Sequence, residues 1–144
     1  MIDGLTNSDA IPVLERLMQF AGQRHRIITN NIANLSTPGF RPADVSVQGF
    51  QHQLGEAIDA RRANRASGDG PLHVKSTSQI EISSDSMILH PEPQSANVLF
   101  HDENDRDVER IMQGLVENFT AYRTAAQFLR SRFELLNSAI RERV

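Results

Sequence analysis

The chain has no cysteine among its 144 residues, which excludes a disulfide framework and a thiolate metal site and leaves the redox compartment undecided. Aromatic residues make up only 6% against 39% apolar residues overall, so a modest, elongated core is expected rather than a dense globular one. Positive charge is also scarce: 15 Lys and Arg face 18 Asp and Glu, for a net charge of −3, and no basic field exists to hold nucleic acid. No apolar run approaches the length of a membrane span, and Asp3 and Asp9 precede any cation, against a secretory signal peptide. There is no nucleophile elbow, no phosphate-cradling glycine loop and no dense carboxylate pair, so no enzyme and no cofactor are expected. The histidines His52, His73, His90 and His101 are scattered through segments read as loops, with no i,i+4 pair to begin a metal site, and His25 is read as a packing residue.

What is present is helical periodicity at both ends. Apolar residues recur at steps of four and three through Val108, Met112, Leu115, Phe119, Tyr122, Ala126, Leu129, Phe133, Leu136 and Ile140. That spacing predicts one long helix with a coiled-coil seam, from about Asp105 to Arg143. Such a helix spans roughly 55 Å, whereas a compact ball of this chain length is about 37 Å across. Burying one seam does not offset the entropy of ordering the helix that carries it, so the seam needs a partner. A second, shorter seam runs through Leu14, Met18, Ala21, His25, Ile28, Ile32 and Leu35, after a start signal of Ser8, Asp9 and Pro12. The expected fold is mainly α: two long terminal helices packed as an elongated coiled coil around a loop-rich middle able to hold a short hairpin. The segments are read as 1–40, 41–104 and 105–144. Gln51 to Pro71, with Gly55, Gly68, Gly70 and a charged run, reads as loop or linker. Leu72, Val74, Ile80 and Ile82 give a weak strand alternation. The stretch from Gln51 to Asn104 is expected to order only on contact with a partner.

The sharpest local motif closes the first helix: Asn30, Asn31, Ile32, Ala33 and Asn34, then Leu35, Ser36, Thr37, Pro38, Gly39 and Phe40. Pro38 presets φ for the first central position of a turn, and Gly39 accepts the positive φ that a type II turn requires next. Asn34 suits a left-handed helix end. Taken alone this is a well-made helix stop. Asn30 and Asn31, however, are poor helix formers inside the final turns, and their amides can bind a neighbouring backbone.

Those residues resemble the shared N-terminal motif of the flagellar basal-body rod proteins, an Asn-Asn-Ile/Leu-Ala-Asn helix end followed by Thr-Pro-Gly and an aromatic residue. The continuation Arg41, Pro42, Ala43, Asp44 and Val45, then Phe50 and Leu54, and the helix from Asp107 to Ile140, look most like the proximal-rod members. Leu35–Ser36, Phe40 and Gly49 depart from the usual residues. The resemblance carries the motif roles of Asn30, Asn31, Ala33, Asn34, Thr37, Pro38, Gly39 and Phe40. It implies a structural subunit of the rod, exported without a cleaved signal by the flagellar type III apparatus and polymerised in the periplasm. Its implied partners are copies of itself, rod proteins of the FlgC, FlgF and FlgG type, a FliE-type adaptor, the MS-ring and the export apparatus, with no nucleic acid. Leu14, Met18, Ile28, Ile32, Val108, Leu115, Phe119, Tyr122, Leu129, Phe133, Leu136 and Ile140 are the expected assembly core. The turn is expected to aim the following segment at a neighbouring subunit. The rival reading is a coiled-coil dimerisation or adaptor protein of closed stoichiometry, in which the Asn-rich stop is capping alone.

Overall fold

The computed structural model describes residues 10–63, 72–83, 86–93 and 108–141. The start signal at Ser8 and Asp9, the glycines Gly68 and Gly70, and His101 lie outside them. Helix α1 spans Ala10–Asn34, with Pro12 in its first turn, where a missing N–H costs nothing. A short strand β1, Ala43–Asp44, leads to a second helix, α2, at Val47–Ala63. Strands β2 (Ile80–Ile82) and β3 (Met87–Leu89) form an antiparallel hairpin in which Ile80 faces Leu89 and Ile82 faces Met87. Strand β4, Glu92–Pro93, returns to pair antiparallel with β1. The chain ends in α3, Val108–Arg141, about 51 Å long. The molecule is mostly helical, with α1 and α3 packed against each other. No helix of the described residues is long and apolar enough to cross a membrane.

Helix α2 corrects the expectation of a linker after Gln51. Ser46 caps it: the hydroxyl accepts a hydrogen bond from the Gly49 N–H at 2.9 Å, and the Ser46 carbonyl accepts the Phe50 N–H. Phe50, Leu54 and Ala57 then fall on one buried face, and Arg61 and Arg62 sit in the last turn, where they complement the helix dipole.

The main buried cluster lies between α1 and this middle segment, joining Phe20 of α1 to Val45, Phe50, Leu54, Ala57, Leu72, Val74, Ile80 and Met87. The middle therefore supplies most of the core, contrary to the expectation that it cannot bury enough to order itself. Leu72 and Val74 are buried, but outside any strand. Arg16 ties the hairpin to α1 by donating to the Ser83 carbonyl.

Helix α3 contributes no residue to that cluster; its buried residues are Asn118 and Ala125. It meets α1 along a stripe of small and half-buried side chains that includes Ile111, Gly114, Leu115, Asn118, Ala125, Ala126 and Leu129. Within the single chain the expected seam is thus divided. Ile28 is buried and Leu14, Met18, Ile32, Leu115, Leu129 and Leu136 are half-buried, whereas Val108, Met112, Phe119, Tyr122, Phe133 and Ile140 are exposed. The reason is close approach: Gly114 lies over Arg24 and Asn118 over Ala21, so the contact face of α3 is the one with the small residues.

Candidate functional site: the helix stop and the free flank of α3

The helix stop is built from three side chains and one turn. Asn34 is the last residue of α1 and stays helical, in place of the left-handed end its type allows. Its amide nitrogen donates to the Asn30 carbonyl at 2.9 Å and to Asn30 Oδ1 at 3.1 Å. Its backbone oxygen accepts the Thr37 N–H at 2.9 Å, which satisfies one of the carbonyls that a helix end leaves open. The chain then turns sharply. The Phe40 N–H donates to the Thr37 carbonyl at 3.1 Å, with Pro38 and Gly39 central and Gly39 at φ +72°, the pattern of a type II turn.

A Cβ added at Gly39 would meet nothing within 4 Å, so the requirement for glycine there is one of backbone conformation and not of space. Gly39→Val is therefore expected to lower stability by about 1–3 kcal/mol, read as a drop in the thermal midpoint by circular dichroism. Unchanged melting would show that the turn tolerates a different geometry.

Beyond the turn the chain comes back along α1. Asn31, buried, donates from Nδ2 to the Ala43 carbonyl at 2.7 Å and accepts the Ala43 N–H on Oδ1 at 3.2 Å. One amide thus satisfies both backbone groups of Ala43, as a neighbouring strand would. Next to it Arg24 forms a two-pronged pair with Asp44, Nε to Oδ1 at 2.9 Å and the terminal nitrogen to Oδ2 at 2.6 Å. Asp44 Oδ1 also accepts the Val45 N–H at 2.8 Å. The turn consequently aims the following segment at α1 of the same chain, which corrects the expectation that it points to a neighbour. The rest of the motif stays at the surface: Asn30, Ala33, Thr37, Pro38 and Gly39 are exposed and Phe40 is half-buried.

Where α1 meets α3, Asn118 Nδ2 donates to the Ala21 carbonyl at 2.9 Å and is buried there. A polar amide in the middle of the contact fixes the register of α3, since sliding the helix by one turn would leave it unsatisfied. Large apolar side chains are also uncovered around the rest of α3: Val116, Phe119, Phe128, Leu135 and Ile140 are each more than half exposed, with Phe119 and Phe128 on opposite sides of the helix. Scattered surface apolar residues are ordinary, but this many large ones on one helix mark interaction surfaces on more than one of its sides.

Sequence reasoning missed Arg24 and gave Asp44 and Asn118 no contact within the fold. The available signal was a polar residue on the apolar face: Arg24 lies three residues after Ala21 and four before Ile28, and Asn118 lies three after Leu115. His52 lies 4.0 Å from Glu56 and His90 lies 3.5 Å from Glu81, all four exposed. Among the described residues no group of three or more potential metal ligands is assembled.

Residues 16–41, covering α1 from Arg16 through the stop and the turn, match the family described as flagella basal body rod protein. Over 149 aligned residues, 99% of this chain and 99% of the relative, the chain is 26% identical to the flagellar basal body rod protein FlgB of Yersinia enterocolitica. The family match over the helix stop and a likeness running almost the full length of both chains together support a FlgB-like flagellar basal body rod protein.

Proposed function

We propose that the chain is a structural subunit of the proximal rod, part of the shaft at the base of the flagellum, and that it polymerises through its terminal helices. The observation that carries this reading is the set of large exposed apolar residues on α3 in a chain bearing the rod-family helix stop. A helix attached along one stripe of small residues, with Phe119, Phe128 and Phe133 facing outward, is shaped to be covered by other molecules. Contacts made by different patches on successive subunits extend into helical assemblies instead of closing into dimers. The role is mechanical rather than catalytic. The partners are copies of the chain, rod proteins of the FlgC, FlgF and FlgG type, a FliE-type adaptor and the MS-ring. The route is export without a cleaved signal through the flagellar type III apparatus to a rod that crosses the periplasm. The exposed assembly core comprises Val108, Phe119, Tyr122, Phe133 and Ile140, with Leu14, Met18, Ile28, Ile32, Leu115, Leu129 and Leu136 beneath it.

The direct test is to tag the chain in its own bacterium, purify basal bodies and ask by immunoblot and labelled electron microscopy whether it sits in the rod. Absence from basal bodies, or a stable closed dimer as its only assembled form, overturns the reading. Phe119→Ala separates folding from assembly. Phe119 is 55% exposed in the chain, so the variant is expected to melt within about 0.5 kcal/mol of the parent. In the assembled state the same truncation is expected to cost roughly 2–5 kcal/mol and to impair swimming.

A further inference from the structure

Helices α1 and α3 run antiparallel, because Asn118 reaches Ala21 while Gly114, earlier in α3, lies over Arg24, later in α1. Stepping residue by residue from that contact brings Leu129 level with Ala10, the first described residue of α1. From there α3 continues to Arg141, about 18 Å further. This end carries exposed Phe133, Leu135 and Ile140. Its charged residues are Arg130, Arg132, Glu134 and Arg141, three cations and one anion, a net charge of +2.

A groove of about 600 Å³ opens where α1, α3 and the start of α2 meet, lined by the buried Phe20 and Phe50 and by the exposed Glu92 and Glu117. Arg24 and Asp44, also in its wall, cancel each other. The groove therefore carries a net charge of −2, and its accessible apolar lining comes from the half-buried Leu17 and Val47 and the exposed Ala121, beside the polar Ser46, Gln48 and Gln51. It is the opposite of the α3 end in charge and offers its apolar residues a partner surface. The space accommodates several side chains but not a helix, which suits one apolar face pressed into it.

The same molecule cannot satisfy itself. Leu136, at the middle of the projecting end, is eighteen residues from Asn118 on one continuous helix, hence about 27 Å from the groove. We propose that the last third of α3 seats in the groove of a second copy, with Arg132 and Arg141 toward Glu92 and Glu117 and Phe133 and Ile140 toward Leu17, Val47 and Ala121. The contact uses a different patch on each copy, so it repeats head to tail and links three or more copies instead of closing at two. This inference rests on the rod reading for its setting and adds to it which segment meets which surface.

The absence of native cysteine makes the contact directly testable. A chain carrying both Asn137→Cys, on the projecting end beside the docking residues, and Gln51→Cys, on the groove wall, is treated with a short bismaleimide as concentrated purified protein and in isolated basal bodies. Both positions are exposed, and a melting midpoint equal to that of the parent is required of the double variant before it is used. The expected result is a ladder of three or more linked copies that neither single variant yields. Adding Arg132→Glu is expected to reduce the ladder about tenfold or more, and Glu117→Arg in the same chain to restore it. The proposal is overturned if the double variant yields only monomer, yields only a closed dimer, or links its groove cysteine to a different basal-body protein. Immunoblotting of the basal bodies separates the two readings. A chain present there without a ladder removes this docking and leaves the rod assignment, whereas a ladder from purified protein that never enters basal bodies removes the rod assignment and leaves the docking.

Discussion

Phe50→Ala is expected to lower the melting temperature by about 10–20 °C, one of the two largest single-residue effects in the molecule. Phe50 is 1% exposed, and its ring stacks on that of Phe20 with centroids 4.0 Å apart and planes 1° from parallel. It thus joins α2 to α1 at the centre of the main cluster. Truncating a fully buried Phe costs about 3–5 kcal/mol through lost transfer energy and the cavity left behind. At roughly 3–4 °C per kcal/mol for a chain of this size, the midpoint shift follows. Circular dichroism melting of Phe50→Ala beside Phe133→Ala makes the comparison internal. Phe133 is 46% exposed and lies on α3 beyond the level of Ala10, so its truncation should move the midpoint by a degree or two at most. Equal, small shifts would mean that the middle segment is not part of the cooperative unit.

Arg24→Met is the second large effect, expected to cost about 3–5 kcal/mol, and its interest lies in what restores it. The Arg24 and Asp44 side chains are only 10% and 14% exposed. Removing the cation leaves a carboxylate in a site shielded from water, still accepting the Val45 N–H but with no countercharge. Removing both charges, as Arg24→Met with Asp44→Leu, abolishes the desolvation penalty together with the attraction. The double variant is therefore expected to regain most of the loss. Urea unfolding measures this directly: the single variant should lower the midpoint concentration at unchanged slope, and the cycle of single and double variants gives the coupling. If Arg24→Met costs less than about 1 kcal/mol, the pair is effectively solvated and the return of the chain along α1 rests on Asn31 alone.

Both terminal helices are legible in the sequence because their apolar residues keep a three-and-four spacing for many turns, the signal least confused by composition. The turn at Thr37 to Phe40 is legible because Pro38 and Gly39 each permit few backbone geometries. Helix α2 is not, for a physical reason. Its buried face is only Phe50, Leu54 and Ala57, interrupted by Gly49 and Gly55 and followed by Arg61 and Arg62, so the composition resembles a linker. The decisive local signal was Ser46 three residues before Gly49, a cap whose value depends on a hydrogen bond that composition does not reveal. In α3 the periodicity gave the helix but not the face. Apolar residues occur on more than one side, and the stripe that meets α1 is made by Gly114, Asn118 and Ala125, which a search for large apolar residues passes over. An abundance of apolar positions on one helix is itself informative, since a helix with a single partner needs only one stripe. The helix stop was legible as a motif, while its chemistry, Asn31 standing in for a strand beside Ala43, required the fold to bring residues 12 apart in sequence together.

The clasp between Asn118 and Ala21 joins positions 97 apart in sequence, and this orders events in time. Closing a loop of that length costs about 4 kcal/mol of chain entropy, paid before the contact returns anything. The cluster around Phe20 and Phe50, by contrast, is complete by Met87 and draws on nothing from α3. The chain up to β4 can therefore settle while α3 is still unattached, and α3 joins late across the longest separation in the fold. By the same reasoning α3 is the first element to lift away, through a partial opening that leaves the rest intact.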